Sequence, residues 1–177
     1  MESTTFNRVL VAFGSNLGDR EQQIMAALDK IAGISGRYCR CSSFWRSAPL
    51  DMAAGAGEFI NGVVEFDTAL TPLALLAALQ GIEQAAGRPA VHGVNASRVL
   101  DLDILCFNAE VMHLPELQIP HPRMTERLFV LMPLEELVPG LVLPGQSAGL
   151  AELIRKAPGA PVSRLRAGPI LQPRPPS

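Results

Sequence analysis

The stretch RVLDLDIL, residues 98–105, carries the strongest structural signal in this chain. Apolar residues alternate with polar ones, which predicts a β-strand whose leucines and isoleucine share one face. Asp101 and Asp103 then lie side by side on the other face, roughly 6.5 Å apart. Two neighbouring carboxylates repel each other and are costly to bury, so the natural partner for the pair is a divalent cation, or two of them.

The residues of this strand leave two interpretations open. Arg98 lies three residues before Asp101 and carries a planar guanidinium of the kind that binds phosphate. That combination favours a metal and phosphate site. The alternative is a half-exposed strand whose polar face contacts only water. The rest of the sequence has to decide between the two.

Composition indicates one globular domain without a general affinity for nucleic acid or membrane. The chain has 177 residues, of which 48% are hydrophobic and 18% charged, and its net charge is −2. No apolar run is long enough to span a bilayer, and residues 1–5 do not begin a signal peptide. We therefore expect a cytoplasmic protein with no nucleic-acid or membrane partner. The sequence leaves the oligomeric state open, with a monomer favoured.

The three cysteines, Cys39, Cys41 and Cys106, fit reduced thiols in the cytoplasm, because their number is odd and no signal peptide precedes them. Cys39 and Cys41 are two residues apart on a predicted strand and share a face. A zinc site formed by this pair and a distant histidine is an alternative. No second pair of ligands has suitable spacing for it.

The predicted elements occur in the order βαββαβ, followed by short helices. Strands are expected at residues 8–13, 36–47, 59–67 and 98–107, and helices at residues 19–33, 71–87, 131–137 and 148–156. This order predicts an α+β sandwich of the ferredoxin-like kind, with a mostly antiparallel sheet and a C-terminal helical extension.

Capping residues and apolar spacing define the first two helices. Asp19 is a candidate N-cap, and Gly33 is expected to close the first helix. Thr71 and Pro72 are typical of a helix start, and Gly87 of a helix end. Apolar residues at three-residue spacing predict the buried stripe of the second helix: Leu73, Leu76, Leu79 and Ile82.

Two loops and the C-terminal segment are the irregular parts of the chain. Residues 48–57 combine proline, alanine and glycine. Residues 87–97 have no periodicity and lead directly into the aspartate strand, which suggests a mobile lid. Residues 157–177 hold six of the 15 prolines, so we expect a flexible tail after a single domain of residues 1–156.

Five separated stretches together resemble one family. They are residues 13–20 (FGSNLGDR), 59–61 (FIN), 82–88 (IE and GR), 96–105 (ASR and LDLDIL) and 120–131 (PHPR, ER and FVL). In this order and spacing, over about residues 8–140, the chain resembles the 6-hydroxymethyl-7,8-dihydropterin pyrophosphokinases of the folate pathway. The Arg-x-x-Asp-x-Asp core of residues 98–103 is the most specific part.

The resemblance implies a catalytic domain that transfers the pyrophosphoryl group of ATP to 6-hydroxymethyl-7,8-dihydropterin in tetrahydrofolate biosynthesis, with AMP as the second product. It implies that Asp101 and Asp103 hold two Mg²⁺ ions. This agrees with the preference of Mg²⁺ for carboxylate oxygens combined with substrate phosphates. Arg88 and Arg98 would join the two aspartates as catalytic residues.

The resemblance also implies two sets of binding residues. Those matched to the ATP site are Gln80, Glu83, Arg88, Arg98, Ile104, His121 and Arg127. Those matched to the pterin site are Ser47, Ala48, Leu50, Phe59, Asn61 and Phe129. The two phenylalanines would sandwich the flat pterin ring, and the asparagine would read its hydrogen-bonding edge.

One departure from the family pattern lies in the 87–97 loop. Ala90, Val94 and Asn95 stand where the family commonly has arginines and a tryptophan, so two phosphate-facing cations are missing. Loss of a charge-assisted phosphate contact typically costs about 1.5–3 kcal/mol. An alternative function is therefore a weakly active or non-catalytic relative that binds pterin or nucleotide under a degenerate lid.

Overall fold

The computed structural model describes residues 4–49, 57–87 and 99–174. The strands in these ranges are β1 Asn7–Ser15, β2 Cys39–Cys41, β3 Phe44–Ser47, β4 Phe59–Thr68, β5 Asp101–Phe107, β6 Met112–His113, β7 Gln118–Ile119 and β8 Ser163–Arg166. The helices are α1 Arg20–Ile34, α2 Pro72–Ala85, α3 Leu128–Leu137 and α4 Leu150–Lys156. A single 3₁₀ turn, Met124–Glu126, precedes α3.

Six of these strands form one sheet in which every pair is antiparallel. The order is β5-β1-β4-β3-β8, and β2 also pairs with β4, while β6 and β7 form a separate two-stranded sheet. The central strand β1 pairs with β4 on one side and with β5 on the other. The predicted ferredoxin-like α+β class with a mostly antiparallel sheet is confirmed.

Helices cover both faces of the sheet, which explains the near-continuous apolar sequence of β1. Val9, Val11 and Phe13 pack with α1 and α2 on one face, whereas Leu10 and Ala12 pack with α3 and α4 on the other. A strand that is buried on both faces has no need of alternating polar positions. Leu102 and Ile104 of β5 and Leu100 just before it join the first core, so by alternation the two aspartates of β5 face the α3 side.

Residues 36–47 do not form the single long strand that the sequence pattern predicted, because β2 and β3 are separated at Ser42 and Ser43. The Ser42 hydroxyl accepts the Val63 N–H at 2.9 Å, so a side chain takes the place of a main-chain carbonyl. The N–H and the hydroxyl of Ser43 both donate to Glu136 Oε1, at 3.1 and 2.6 Å. These side-chain hydrogen bonds divide the strand.

The start of α1 agrees with the prediction, but its end does not. Asp19 caps the helix by accepting the Gln22 N–H at 3.1 Å. The helix continues one residue past Gly33, so the prediction that this glycine closes it was wrong. The helix instead ends at Ile34, and the hydroxyl of Ser35, the residue that caps it, donates to the Ile31 carbonyl at 2.8 Å. A side chain that satisfies a terminal carbonyl makes a glycine stop unnecessary.

The buried stripe of α2 is rotated from the predicted one. Leu75, Leu79 and Ile82 are buried, whereas Leu73 is 44% exposed. The buried set follows the i, i+4, i+7 spacing of one helix face, while repeated steps of three residues drift around the helix axis. The predicted start and end are confirmed, since Thr71 caps the helix and Gly87 follows it with a φ of 96°.

Strand β8 extends the sheet beyond α4, and sequence reasoning did not predict it. Arg46 lies opposite Ser163, and Phe44 lies opposite Arg166. The strand has only four residues and prolines on both sides, so no alternation is long enough to reveal it. Whether residues 1–156 form the catalytic unit without the tail stays a prediction.

Asp67 lies near the end of β4 with its carboxylate almost completely buried. Its Oδ1 accepts the N–H groups of Arg37 at 2.6 Å and Tyr38 at 3.2 Å, and its Oδ2 accepts from Arg37 Nε at 2.6 Å. Burial alone would raise the pKa of Asp67, but the hydrogen bonds from Arg37 and Tyr38 outweigh burial and hold the pKa below its usual value. The charged form of Asp67 therefore stabilises the fold.

Asp67→Asn should lower the free energy of unfolding by about 1.5–3 kcal/mol at neutral pH, because it removes hydrogen bonds to a charged group. A lowered pKa stabilises the folded state above the unfolded-state pKa of about 3.9, and this stabilisation is lost as the pH falls through the folded-state value. In urea unfolding, the difference from the wild type should therefore shrink near pH 3. Asp29→Asn, at an exposed carboxylate, is the matched control. A pH-independent difference would contradict this account.

Candidate active site

A cavity of about 420 Å³ opens between the sheet and α3. Its walls come from β1, β3, β4 and β5, from the segment that leads into α3, and from residues after α4. Eight of the residues predicted from the sequence line it: Ser47, Ala48, Phe59, Asn61, Asp101, Asp103, Arg127 and Phe129. The fold thus brings together residues from both predicted binding sets.

The strand register gives the cavity two chemically different ends. Gly14 lies opposite Asn61 on one side and opposite Asp101 on the other, so these two residues are two strand spacings apart, about 9.5 Å. The part bordered by Asp101 and Asp103 is called the β5 end below. The β3–β4 end is the part bordered by Ser47, Ala48, Phe59 and Asn61.

Asn61 is held in one orientation at the β3–β4 end. It is 4% exposed, and its Nδ2 donates to Ser47 Oγ at 2.8 Å. Its Oδ1 lies against Gly14, where an added Cβ would come within 3.0 Å of that oxygen and 3.9 Å of the Phe59 ring. The glycine therefore leaves the room that the amide needs.

Gly14→Ala should weaken the binding of 6-hydroxymethyl-7,8-dihydropterin, the ligand implied by the resemblance, by about tenfold, which corresponds to the loss of one hydrogen bond. The physical reason is displacement of the Asn61 amide by the new methyl group. Isothermal titration calorimetry measures the effect. The matched control is Gly33→Ala, since a Cβ there meets nothing within 4 Å. Unchanged binding in Gly14→Ala would show that the Asn61 orientation does not matter.

Charged side chains of both signs border the β5 end. Asp101 and Asp103 are half-buried on β5. Arg123, Glu126 and Arg127 line the cavity from the segment that leads into α3. Arginines and two carboxylates in one cavity suit a ligand that carries phosphate groups together with a bound cation.

His121 lies close to the β5 end, although it is not one of the lining residues. Its ring Nδ1 accepts the main-chain N–H of Arg123 at 3.2 Å, and the main-chain N–H of His121 donates to the Leu105 carbonyl at 3.0 Å. Burial lowers the pKa of His121, and the charge of Arg127 acts in the same direction, while Asp101 opposes both. The net direction favours a neutral ring between these charges.

Three further residues matched to the ATP site lie away from the cavity lining. Glu83 is buried on α2, and its Oε1 accepts the Leu102 N–H at 2.7 Å, which ties α2 to β5. Gln80 is exposed one turn earlier on α2. The Ile104 side chain lies in the core beneath the sheet. The ATP-binding roles of these residues and of His121 stay predictions.

The remaining predicted site residues, Leu50, Arg88 and Arg98, lie outside the described residues. The same holds for the 87–97 loop apart from Gly87, including every position at which the loop departs from the family pattern. The expected roles of these residues, and the lid itself, stay predictions.

Sequence reasoning did not assign eleven of the lining residues to the site, and two groups among them differ in the signal that they carry. Arg123 and Glu126 stand within quoted motifs of the resemblance, PHPR and ER, so a signal for them was present. The second group follows α4 and consists of Pro158, Gly159, Ala160 and Val162. These residues carry no charge or hydrogen-bonding side chain, so no sequence signal marks them as part of a site.

The donor set of the β5 end fits Mg²⁺. Among residues 4–49, 57–87 and 99–174, no group of three or more His, Cys, Asp or Glu side chains is placed to hold a metal ion. Asp101 and Asp103 are a pair of carboxylates facing an open cavity. Mg²⁺ commonly uses one or two carboxylates and completes its coordination with substrate phosphates and water.

Burial acts against a zinc site at the cysteine pair. It raises the pKa of Cys39 to about 11 and of Cys41 to about 12, and zinc binds the thiolate. Among the described residues, neither cysteine belongs to a group of three or more His, Cys, Asp or Glu side chains placed to hold a metal ion. Cys39, Cys41 and Cys106 are free cysteines.

Comparison with known proteins identifies the family of the chain. The family described as 7,8-dihydro-6-hydroxymethylpterin-pyrophosphokinase (HPPK) matches residues 10–139. The chain belongs to the HPPK family. This match covers all the predicted site residues, and it ends before the lining residues that follow α4.

Curated HPPK relatives match most of the chain. The 2-amino-4-hydroxy-6-hydroxymethyldihydropteridine pyrophosphokinase of Pseudomonas aeruginosa is 44% identical over 89% of this chain and 96% of its own length. The enzyme of the same name from Haemophilus influenzae is 38% identical over 82% and 90%. The folic acid synthesis protein fol1 of Schizosaccharomyces pombe is 37% identical over 89% of this chain and 21% of its own length.

Solved structures of HPPK-DHPS proteins share the fold. Plasmodium falciparum HPPK-DHPS with pterin and p-hydroxybenzoate superposes with a TM-score of 0.67 at 16% identity, over 88% of this chain. This chain spans 42% of that protein.

None of the helices in the described part of the chain has the length and apolar composition that crossing a bilayer requires.

Proposed function

We propose that this chain transfers the pyrophosphoryl group of ATP to the hydroxymethyl group of 6-hydroxymethyl-7,8-dihydropterin, as a step of tetrahydrofolate biosynthesis. Relatives that carry the name of this activity are matched over 96% and 90% of their lengths. The observation that carries the proposal is the cavity that joins Asp101 and Asp103 at one end to Phe59 and Asn61 at the other.

The pterin ring is assigned to the β3–β4 end. Phe59 from β4 and Phe129 from α3 both line the cavity and offer flat apolar surfaces to a bicyclic ring. Asn61, oriented by Ser47, offers an amide donor and acceptor to the ring edge. Ser47 and Ala48 border the same end, and their main-chain groups are assigned to the ring edge from the resemblance.

The triphosphate of ATP is assigned to the β5 end. Asp101 and Asp103 would hold two Mg²⁺ ions there, and bound Mg²⁺ neutralises phosphate charge and polarises the attacking hydroxyl. Arg127 lines the same cavity and is a candidate phosphate ligand. Arg88 and Arg98 are also assigned to phosphate binding, on the basis of the sequence resemblance.

In the proposed reaction the hydroxymethyl oxygen of the pterin forms a bond to the β-phosphorus of ATP. The bond between that phosphorus and the α,β-bridging oxygen breaks, so AMP leaves with the bridging oxygen and the hydroxyl proton passes to solvent. The protein positions the two substrates in one cavity, and positioning with electrostatic stabilisation accounts for most catalysis of phosphoryl transfer.

The proposal includes a cytoplasmic monomer. Cys39, Cys41 and Cys106 are free, as expected in a reducing compartment. Size-exclusion chromatography with light scattering would measure the oligomeric state. A stable dimer would contradict the proposal that the protein is a monomer.

The test is to incubate purified protein with ATP, Mg²⁺ and the pterin and to separate the nucleotides by chromatography. The proposal expects AMP and pterin pyrophosphate in equal amounts, and no AMP when the pterin or Mg²⁺ is omitted. A folded protein that forms no AMP, under conditions where an active relative does, would contradict the proposal. Pterin binding in calorimetry without turnover would then support the non-catalytic alternative.

A further inference from the structure

The segment that joins α4 to β8 forms part of the cavity wall. This segment, residues 157–162, is called the C-terminal strap below. Pro158, Gly159, Ala160 and Val162 all line the cavity. The strap lies after residue 139, where the HPPK family match ends, so the family match does not assign it to the site.

The strand register places the strap at the β3–β4 end. Arg46 on β3 lies opposite Ser163 on β8, and the two strands are antiparallel. Residues that precede Ser163 therefore continue alongside the residues that follow Arg46. Val162 consequently lies beside Ser47, which itself borders the β3–β4 end.

A polar cluster around Glu136 of α3 fixes the start of β8 to β3. The two Glu136 carboxylate oxygens accept from the Ser43 hydroxyl at 2.6 Å and from Trp45 Nε1 at 3.0 Å. Arg164, one residue after the start of β8, donates from Nε to Ser43 Oγ at 2.6 Å and lies 3.7 Å from Glu136 Oε1. One carboxylate thus connects α3 and β3 and pairs with β8.

Contacts further along the tail hold β8 from its other end. Arg166 donates to Glu21 on α1 at 2.8 Å, and its guanidinium lies 4.4 Å from the centre of the Phe44 ring. The Arg174 N–H donates to the Ala32 carbonyl at 3.0 Å. With α4 packed on α3 before it and β8 paired after it, the strap has both ends fixed.

The chemistry of the strap suits an uncharged ring and not a phosphate group. Its lining residues are apolar, and none has a side-chain donor or a charge. Asp101 and Asp103 lie at the β5 end instead, and Arg123 and Arg127 lie close enough to His121, as Asp101 does, to affect its pKa. A small apolar wall beside the ring position limits the size of the group that fits there, because close-packed surfaces tolerate little added volume.

We propose that the C-terminal strap is a specificity-determining wall for the pterin, with Val162 as its main contact. This inference rests on the proposed function, since it concerns the pterin end of the same cavity. The strap excludes bulkier ring substituents and does not take part in binding ATP.

The experiment compares two adjacent substitutions in the full-length protein. Val162→Phe adds volume at a lining position, whereas Ser163→Phe adds the same ring at an exposed position that does not line the cavity. Successive residues of an extended chain point to opposite sides, so the pair separates a cavity effect from a general effect on the tail. Circular dichroism and thermal unfolding verify that each variant is folded.

We expect Val162→Phe to raise the Kd and the KM for the pterin at least about tenfold by steric exclusion. The KM for ATP should remain within about twofold, and kcat at saturating pterin should fall far less than the affinity, because the strap does not border the β5 end, to which the triphosphate is assigned. Ser163→Phe should leave all four quantities near the wild type. Val162→Ala should instead improve the binding of a pterin with a bulkier ring substituent relative to the natural one.

The outcomes separate this inference from the proposed function. Wild-type protein that binds no pterin and forms no AMP contradicts the proposed function. Wild-type activity together with unchanged pterin Kd in folded Val162→Phe overturns the role of the strap alone. If Val162→Phe does not fold, Val162→Ala provides the test. An unchanged ratio of the Kd values for the natural pterin and for the pterin with the bulkier ring substituent overturns the inference. Equal effects of Val162→Phe and Ser163→Phe overturn it as well.

Discussion

Asp101→Ala and Asp103→Ala should each lower kcat on the order of 10³-fold, because removing one carboxylate of a metal-binding pair forfeits several kcal/mol of charge stabilisation. Both side chains face the cavity from β5 and border its β5 end. The pterin is assigned to the opposite end, so its Kd should remain within about threefold of the wild-type value.

Steady-state kinetics with varied Mg²⁺ and calorimetry with the pterin alone measure the two effects separately. Asp101→Asn keeps the shape of the side chain and removes its charge, so it tests whether charge is what matters. Glu110→Ala, at an exposed turn after β5, is the control for a general effect of removing a carboxylate. Near-normal turnover in either alanine variant would show that the metal assignment is wrong.

Phe59→Ala and Phe129→Ala should each weaken pterin binding by about 10- to 100-fold, since a stacked aromatic contributes both buried area and favourable ring geometry. The two residues reach the cavity from different elements, β4 and α3. The KM for ATP should change by less than about threefold, because the triphosphate is assigned to the β5 end.

Leucine substitutions at the same two positions distinguish stacking from burial. Phe59→Leu and Phe129→Leu keep most of the apolar area and should recover part, but not all, of the affinity. Phe6→Ala removes an aromatic ring that lies over Arg37 outside the cavity, so it should bind pterin like the wild type. Equal losses of pterin and ATP affinity in the Phe59 and Phe129 variants would contradict the assignment of the pterin to the β3–β4 end and of the triphosphate to the β5 end.

The parts of the fold that the sequence predicted well are those with strong local signals. The alternation around Asp101 and Asp103 predicted β5 and the face on which the aspartates lie, because a strand alternates sides at every residue. Asp19 and Thr71 marked helix starts, because a capping side chain acts within three residues of its own position. The order of these elements then limited the topology to the ferredoxin-like class.

The parts that sequence reasoning missed depend on partners far away in the chain. The break between β2 and β3 depends on Glu136, which lies 93 residues from Ser43. Strand β8 is formed by residues whose pairing partner is β3, more than 100 residues earlier. Local periodicity carries no information about such contacts, so neither the break nor the strap could be derived from it.

The candidate site shows the same division. Gly14, Asn61 and Asp101 are far apart in sequence, and the resemblance to one family is what suggested that two of them act together. The register of β1 with β4 and β5 gives the physical reason, since it aligns all three across the sheet. Arg88 and Arg98 lie outside the described residues, so their part in the site still rests on the sequence.

The most direct test of the central claim follows the β-phosphate of ATP. The protein is incubated with Mg²⁺, 6-hydroxymethyl-7,8-dihydropterin and ATP that carries ³²P only in the β-position, and the products are separated. Transfer of a pyrophosphoryl group predicts that all consumed label appears in the pterin product and that AMP is unlabelled. Label in ADP would indicate transfer of a single phosphoryl group, and label in free pyrophosphate would indicate hydrolysis; either result would contradict the claim.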